Sequence, residues 1–278
     1  MEIKYDFDEI ISRCRTNSIS YEGWKQLLIG AGEEPDFPFN DADCIRLWIA
    51  DMDFGSPPEI LEAIRKRLDG KILGYTSIYD PAYFKVLSNW FEKRYNWAIN
   101  PEHIVLSPGV VTALNRLVGL LTNTGESILI CTPSYAPFKR AADYNHRNVF
   151  YSNLIEKDGC YEMDFHDIEC KLSDSDKNIK LFILCNPHNP VGRIWTREEL
   201  LQIGKMCLSR GIWIISDEIH CDLLRRGNQH HPLVTLFPDS EKIITCTAPS
   251  KTFNLAGNLM SHIFIPDSTV RKKWLELY

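Results

Sequence analysis

The chain has 278 residues, of which 44% are hydrophobic and 24% are charged, and its formal net charge is −6. Such a composition is typical of a globular protein, and the acidic balance excludes a general basic surface for nucleic acid. No apolar run approaches the ~20 residues that span a bilayer, and the amino terminus lacks the apolar core of a signal peptide. Nine cysteines occur without a C-x-x-C pair. We therefore expect reduced thiols in a cytoplasmic protein, with no zinc or other metal site and no membrane partner.

From about residue 100 onward, short apolar segments alternate with amphipathic ones. The predicted strands are 104–107, 127–131, 148–152, 181–185, 212–216, 243–246 and 261–265. A helix is predicted over 196–209, because Thr196 and Glu199 have the spacing of a capping box. The alternation predicts an α/β fold with a mainly parallel sheet that helices cover on both faces. Residues 1 to about 45 do not follow this alternation of short apolar and amphipathic segments.

Polar residues follow three consecutive predicted strands at the point where each strand ends. The segment 186–190 (Asn-Pro-His-Asn-Pro) follows the fourth strand, Asp217 follows the fifth, and Lys251 comes shortly after the sixth. Ligands of open α/β sheets bind at the carboxyl ends of the strands, so these groups are expected to share one crevice. A strand-end lysine is most often a solvated surface group. Beside an amide and a carboxylate, however, its amine can form a Schiff base with a carbonyl cofactor.

This set of groups suits pyridoxal 5′-phosphate. Asp217 would pair with the pyridinium nitrogen and keep it protonated, which preserves the ring as an electron sink. Asn189 would donate to the ring oxygen, while Lys251 would hold the aldehyde carbon and later move the substrate α-proton. The competing interpretations are a helix cap for Asp217 and a turn residue before proline for Asn189.

A glycine turn between the first predicted strand and a predicted helix over 111–121 is the candidate phosphate site. Backbone N–H groups at the start of a helix bind phosphate, with help from the helix dipole. Gly109, Val110 and Val111 would contribute through the backbone, and Ser250 would add a hydroxyl beside the lysine.

Further motifs extend over essentially the whole chain. They are Tyr5-Asp6-Phe7-Asp8, Arg15-Thr16-Asn17-Ser18, the segment 48–54 (Trp-Ile-Ala-Asp-Met-Asp-Phe), Gly74-Tyr75-Thr76 and Asp217-Glu218-Ile219-His220. With the Asn-Pro-x-x-Asn-Pro segment, they resemble the fold-type I pyridoxal phosphate enzymes of the class I/II aminotransferase superfamily. More narrowly, the chain resembles the MalY/PatB-type cystathionine β-lyases, a C–S lyase branch.

The resemblance implies an aspartate aminotransferase-like large domain over 46–278, preceded by an N-terminal arm and small-domain segment over 1–45. Family members continue for about 100 further residues, so the C-terminal small domain is expected to be absent from this chain. That domain normally supplies the arginine that binds the substrate α-carboxylate.

The resemblance also implies roles for three more residues. Tyr135 is expected to stack on the cofactor ring, and His220 to lie near the cofactor. Tyr75 resembles a tyrosine that reaches the phosphate of the neighbouring subunit, which implies a homodimer. Leu259 stands where the wider superfamily usually has an arginine, so one phosphate contact is expected to be missing.

The implied reaction is β-elimination of cystathionine or a cysteine S-conjugate to thiol, pyruvate and ammonia, with Lys251, Asp217 and Tyr135 as the catalytic residues. An aminotransferase would use the same residues and remains the alternative. A regulatory or binding role of a weakly active chain is a third interpretation.

Overall fold

The computed structural model describes residues 5–24, 40, 43–76 and 80–276. The chain divides into two compact units, one formed by residues 1–75 and 253–256 and the other by 76–252 and 257–278. The domain limits expected from the sequence, at residues 45 and 46, stay a prediction.

The first unit includes helix α1 (Pro58–Leu68), in which no residue is buried. A proline begins this helix, and basic residues in its last turn are favourable to the helix dipole. The side chain of Asn254 fastens the segment 253–256 within this unit: it accepts from the Met52 N–H at 3.1 Å and donates to the carbonyls of Met52 and Phe54. A short polar side chain therefore replaces the backbone pairing that this irregular segment lacks.

The second unit is built around a seven-stranded sheet. In chain order the strands are β1 (Ile104–Ser107), β2 (Ser127–Thr132), β3 (Asn148–Asn153), β4 (Ile155–Lys157), β5 (Cys160–Glu162), β6 (Ile179–Cys185), β7 (Trp213–Asp217), β8 (Ile243–Thr247) and β9 (Ser261–Phe264). The order across the large sheet is β1-β9-β8-β7-β6-β2-β3, and β4 pairs with β5 in a separate hairpin. All seven predicted strands are confirmed to within two residues at each end.

Five neighbouring strands, β3, β2, β6, β7 and β8, are parallel, whereas β9 runs antiparallel to both β8 and β1. The predicted mainly parallel sheet is therefore confirmed. The reversal at β9 was not predicted, because the apolar pattern of a strand carries no information about its direction.

The helices of the second unit lie between these strands. They are α2 (Pro81–Tyr95), α3 (Val110–Leu121), α4 (Pro137–Tyr144), α5 (Phe165–Ser173), α6 (Arg197–Leu208), α7 (Pro249–Thr252) and α8 (Ser268–Glu276), with 3-10 turns at Pro101–His103, Ser175–Lys177, Leu233–Leu236 and Ala256–Asn258. The capping box at the start of α6 is confirmed: the Glu199 N–H donates to the Thr196 hydroxyl, and the Thr196 N–H donates to the Glu199 carboxylate. In the described part of the chain, no helix has the length and apolar character needed to cross a membrane.

Two apolar layers cover the sheet, one on each face. Ile215 and Ile244 face a layer that contains α3, α4 and α8. Their chain neighbours Ile214 and Ile243 face the opposite layer, which contains α5 and α6. Because successive side chains of a strand point to opposite faces, a strand that is apolar at every position must be covered on both sides. This arrangement confirms the predicted helix layers.

Candidate active site

Three neighbouring parallel strands bring the predicted polar residues to one edge of the sheet. Asp217 is the last residue of β7, and the strand register aligns it with Cys185 at the end of β6 and with Cys246 in β8. Lys251 lies in the single turn of α7, four residues beyond the end of β8. The amide segment, the carboxylate and the amine therefore follow adjacent strands, as the sequence predicted.

Asp217 is 3% exposed, and the Ile219 N–H donates to its Oδ1 at 3.2 Å. The pKa of this carboxyl is raised to about 7, chiefly by burial; the bond from Ile219 opposes this rise and the charge of Glu218 adds to it. Among the residues that the structure describes, no cationic side chain forms an ion pair with Asp217. A buried carboxyl without a protein cation is a fitting partner for a protonated ring nitrogen.

The segment 186–190 forms a loop that the rest of the site holds in place. The buried His188 donates from Nε2 to the Pro133 carbonyl at 2.8 Å, which joins this loop to the one after β2. The Asn186 N–H donates to the Asp217 carbonyl at 2.9 Å, and the fully buried Asn186 amide nitrogen has no partner among the described residues. Asn189 is half-buried, and its N–H contacts the Cys185 thiol at 3.4 Å.

The candidate phosphate site lies between β1 and α3. Gly109 has a φ of +92°, a conformation that favours glycine, and it is the N-cap of α3 without any side-chain capping bond. The helix begins at Val110, one residue earlier than predicted. The N–H groups of its first turn, including those of Val110 and Val111, have no partner inside the helix, so they can bind an anion.

Two further predicted residues, Tyr135 and His220, interact electrostatically with Asp217 and Lys251, and a third, Ser250, adjoins the lysine in sequence. The ring of Tyr135 packs edge-on against Phe138 at 5.7 Å, and its partial burial raises the pKa of the hydroxyl, as does the charge of Asp217. Burial lowers the pKa of His220, and the positive charge of Lys251 lowers it further. Ser250 precedes the lysine in α7 and is half-buried.

Tyr75 belongs to the first unit, and its side chain is fully exposed. Its predicted contact is with a second subunit and stays a prediction.

Sequence reasoning missed the loop contact of His188 and the two cysteines beside Asp217. The position of His188 inside the Asn-Pro segment was a possible signal for the first, whereas the thiol positions depend on strand register.

With this geometry the chain is an α/β protein whose candidate site residues lie at the carboxyl ends of parallel strands. The family model "Aminotransferase class I and II" matches residues 42–273, and the chain belongs to this family. Cystathionine beta-lyase PatB of Bacillus subtilis is 43% identical over 270 residues, which are 97% of this chain and 66% of that protein. Protein MalY of Escherichia coli is 30% identical over 237 residues, 85% of this chain and 60% of the relative.

Solved structures confirm the predicted fold. A C-S lyase of Staphylococcus hominis with bound pyridoxal phosphate and the inhibitor L-cycloserine is 45% identical, with a TM-score of 0.94 over 99% of this chain and 68% of that one. Cystalysin of Treponema denticola, which contains pyridoxal 5′-phosphate, is 36% identical with a TM-score of 0.87, over 97% and 66%. The chain spans about two thirds of the length of PatB.

Proposed function

We propose that residues 1–278 hold the pyridoxal phosphate site of a C–S β-lyase that acts on cystathionine or another cysteine S-conjugate. The main support for the proposal is the buried carboxyl of Asp217, which forms no ion pair with a cationic side chain among the described residues. Asp217 lies on β7, between the strands that precede the Asn189 and Lys251 segments. The names of the relatives, PatB and the Staphylococcus hominis C-S lyase, support the same reaction class.

Pyridoxal phosphate supplies, when bound, an electron sink for the pair left on the substrate Cα. The positive charge of a protonated ring nitrogen at contact distance would favour the ionised form of the buried Asp217 carboxyl. The resulting carboxylate would in turn stabilise the proton on the ring nitrogen. The Lys251 amine would hold the cofactor covalently and carry the proton to and from the substrate. The lowered pKa of His220 keeps its imidazole neutral, so it adds no second positive charge beside the amine.

The remaining predicted residues would bind and orient the cofactor. The turn at Gly109, with the N–H groups of Val110 and Val111, would hold the phosphate, and Ser250 would add a hydroxyl donor. Tyr135 would lie against the ring; its raised pKa keeps the hydroxyl protonated at neutral pH, so it can donate a hydrogen bond. Asn189 would donate to the ring oxygen from the loop that His188 fixes.

A homodimer is part of the proposal. The first unit exposes several large apolar side chains, and α1 buries none of its residues. Ile72, Leu73 and Tyr75 are 74%, 72% and 112% exposed. Apolar surface of this kind commonly marks a protein–protein interface, and the exposure of Tyr75 within it supports the proposed contact with a second subunit.

A cytoplasmic location is proposed from the cysteines. All nine are free thiols, although four of them are at least partly exposed. Reduced thiols persist in a reducing compartment, whereas secreted proteins usually pair theirs.

The test of function is to incubate the full chain with pyridoxal phosphate and L-cystathionine, and to measure pyruvate and free thiol. A lyase releases both products without a keto acid. The variant Lys251→Ala should abolish the visible absorption band of the bound cofactor and all turnover. Lys242→Ala is the matched control, because Lys242 precedes the other end of β8 and donates to the Gly211 carbonyl. An unchanged band in Lys251→Ala would refute the site.

An aminotransferase is the second candidate. A pyridoxal phosphate-bound putative aminotransferase of Clostridium difficile is 38% identical with a TM-score of 0.87, over 97% of this chain and 66% of that one. In this case turnover would require a keto acid and would release no thiol. Cofactor binding without either reaction would favour a regulatory or binding role instead.

A further inference from the structure

Asp222 lies five residues beyond Asp217 and binds three side chains from two helices. Its Oδ1 accepts a hydrogen bond from the Tyr95 hydroxyl and forms an ion pair with Arg94 Nε at 2.8 Å. Its Oδ2 accepts from the Thr252 hydroxyl at 2.8 Å. The Asp222 side chain is only 9% exposed, whereas that of Arg94 is 41% exposed, so the carboxylate is shielded from water while its ion pair stays partly solvated.

The two helices that meet at Asp222 differ in length and in packing. Arg94 and Tyr95 end α2, which has 15 residues and packs Phe91 against Phe264 with ring centroids 5.2 Å apart. In contrast, α7 has four residues, and a single turn has too few internal hydrogen bonds to fix its own orientation. A bond that joins α7 to α2 through Asp222 therefore limits the rotation of the short helix.

Asp222 also belongs to the chain segment that contains two other proposed cofactor-binding residues, Asp217 and His220. This segment leaves β7 at Asp217 and continues as turns, in which Cys221 N–H donates to the Glu218 carbonyl and Leu223 N–H to the His220 carbonyl. One side chain therefore connects the segment of the ring-nitrogen partner to the turn that carries Lys251.

We propose that Thr252 is a positioning residue that acts through Asp222 to hold the Lys251 amine where it can attack the aldehyde carbon of pyridoxal phosphate. The inference rests on the proposed function. Thr252 follows Lys251 directly, so a Thr252 side chain that Asp222 holds in place restricts the backbone from which the Lys251 side chain extends. A hydroxyl that donates to a carboxylate forms a charge-assisted hydrogen bond, which is about twice as strong as a neutral one. Arg94 and Tyr95 occupy Oδ1 and leave Oδ2 to Thr252.

The test compares Thr252→Val, which keeps the shape of the side chain but removes the hydroxyl, with Thr252→Ser, which keeps the hydroxyl. Thr122→Val is the matched control. Thr122 is a buried threonine whose hydroxyl donates to the Val118 carbonyl at 2.6 Å and accepts from Arg147 Nε at 2.8 Å. It is the C-cap of α3, and its partner Arg147 directly precedes the amino end of β3, whereas Lys251 follows the carboxyl end of β8.

The purified full chain, freed of cofactor, is mixed with pyridoxal phosphate and then with sodium borohydride. The Lys251 amine condenses with the aldehyde and water leaves; borohydride then adds hydride to the C=N bond and leaves a stable secondary amine. Peptide mass spectrometry gives the rate of labelling at Lys251, and absorbance gives the pH dependence of the visible band. The apparent melting temperature of each cofactor-free variant is measured alongside.

We expect Thr252→Val to slow labelling by about tenfold and to shift the pH dependence of the band, since one charge-assisted bond is lost. Thr252→Ser should stay within about threefold of the parent chain. Thr122→Val should lower the melting temperature and leave the labelling rate and the pH dependence unchanged.

Parent-like labelling of Thr252→Val would overturn the inference, and so would equal slowing in Thr252→Val and Thr252→Ser. If Thr252→Val does not fold, Asp222→Asn replaces it; slower labelling supports the inference, and the parent rate contradicts it. A parent chain that is not labelled at Lys251 overturns the proposed function together with this inference. Labelling of the parent without any effect at Thr252 overturns the inference alone.

Discussion

The buried carboxyl of Asp217 makes the stability of the cofactor-free chain depend on pH. Its pKa is raised from an ordinary value of 3.8 to about 7, chiefly by burial. A group whose pKa is higher in the folded state stabilises the fold fully below its unfolded pKa, and this contribution is lost as pH rises through the folded pKa. The cofactor-free chain should therefore lose stability between about pH 4 and pH 8.

The magnitude follows from the two pKa values. At about 1.4 kcal/mol for each tenfold change in proton affinity, the difference between 3.8 and about 7 corresponds to about 4 kcal/mol as an upper limit. Asp217→Asn is neutral at every pH and has nearly the same shape. The variant should therefore be more stable than the parent at pH 8.5, by up to about 4 kcal/mol, and nearly equal to it at pH 4.

The assay is urea unfolding of the cofactor-free parent and Asp217→Asn across this pH range, with two-state behaviour verified by two probes. Asp239→Asn, which removes an exposed carboxylate, is the control and should follow the parent. Pyridoxal phosphate should stabilise the parent more than Asp217→Asn at pH 8.5, because a ring cation compensates the buried charge. Parallel pH dependence of the parent and Asp217→Asn would refute the reasoning.

Three other substitutions test the structure around the site. Gly109→Ala should lower stability by about 1–3 kcal/mol and weaken phosphate binding, because φ is +92° there although a methyl group would meet no atom within 4 Å; an unchanged melting temperature would contradict this. Thr196→Ala should cost about 1 kcal/mol through loss of the capping box of α6 and leave the visible band of the bound cofactor unchanged. His188→Ala should reduce cofactor affinity more than Thr196→Ala does, since it removes the bond to the Pro133 carbonyl; equal affinities in a cofactor titration would argue against the loop contact.

The sequence by itself determined the strands of the large sheet and the segments that hold the candidate site residues. A strand covered on both faces is apolar at nearly every position. The strands at 181–185, 212–216 and 243–246 could therefore be predicted without knowledge of the strands that they pair with. The capping box at Thr196 was equally readable, because its two hydrogen bonds join residues only three positions apart. Ligand groups follow strand ends in open α/β sheets, which placed Asp217 and Lys251 at the same edge.

Only the tertiary structure decided which residues surround these groups. The position of Asp217 between Cys185 and Cys246 depends on strand register, and the reversal of β9 depends on how the chain turns back after α7. The bond from Thr252 to Asp222 joins residues 30 positions apart, and the ion pair of Arg94 with Asp222 spans a longer separation still. Local propensity and spacing describe neighbours along the chain, whereas these contacts join residues that are far apart in sequence and depend on the arrangement of the whole sheet.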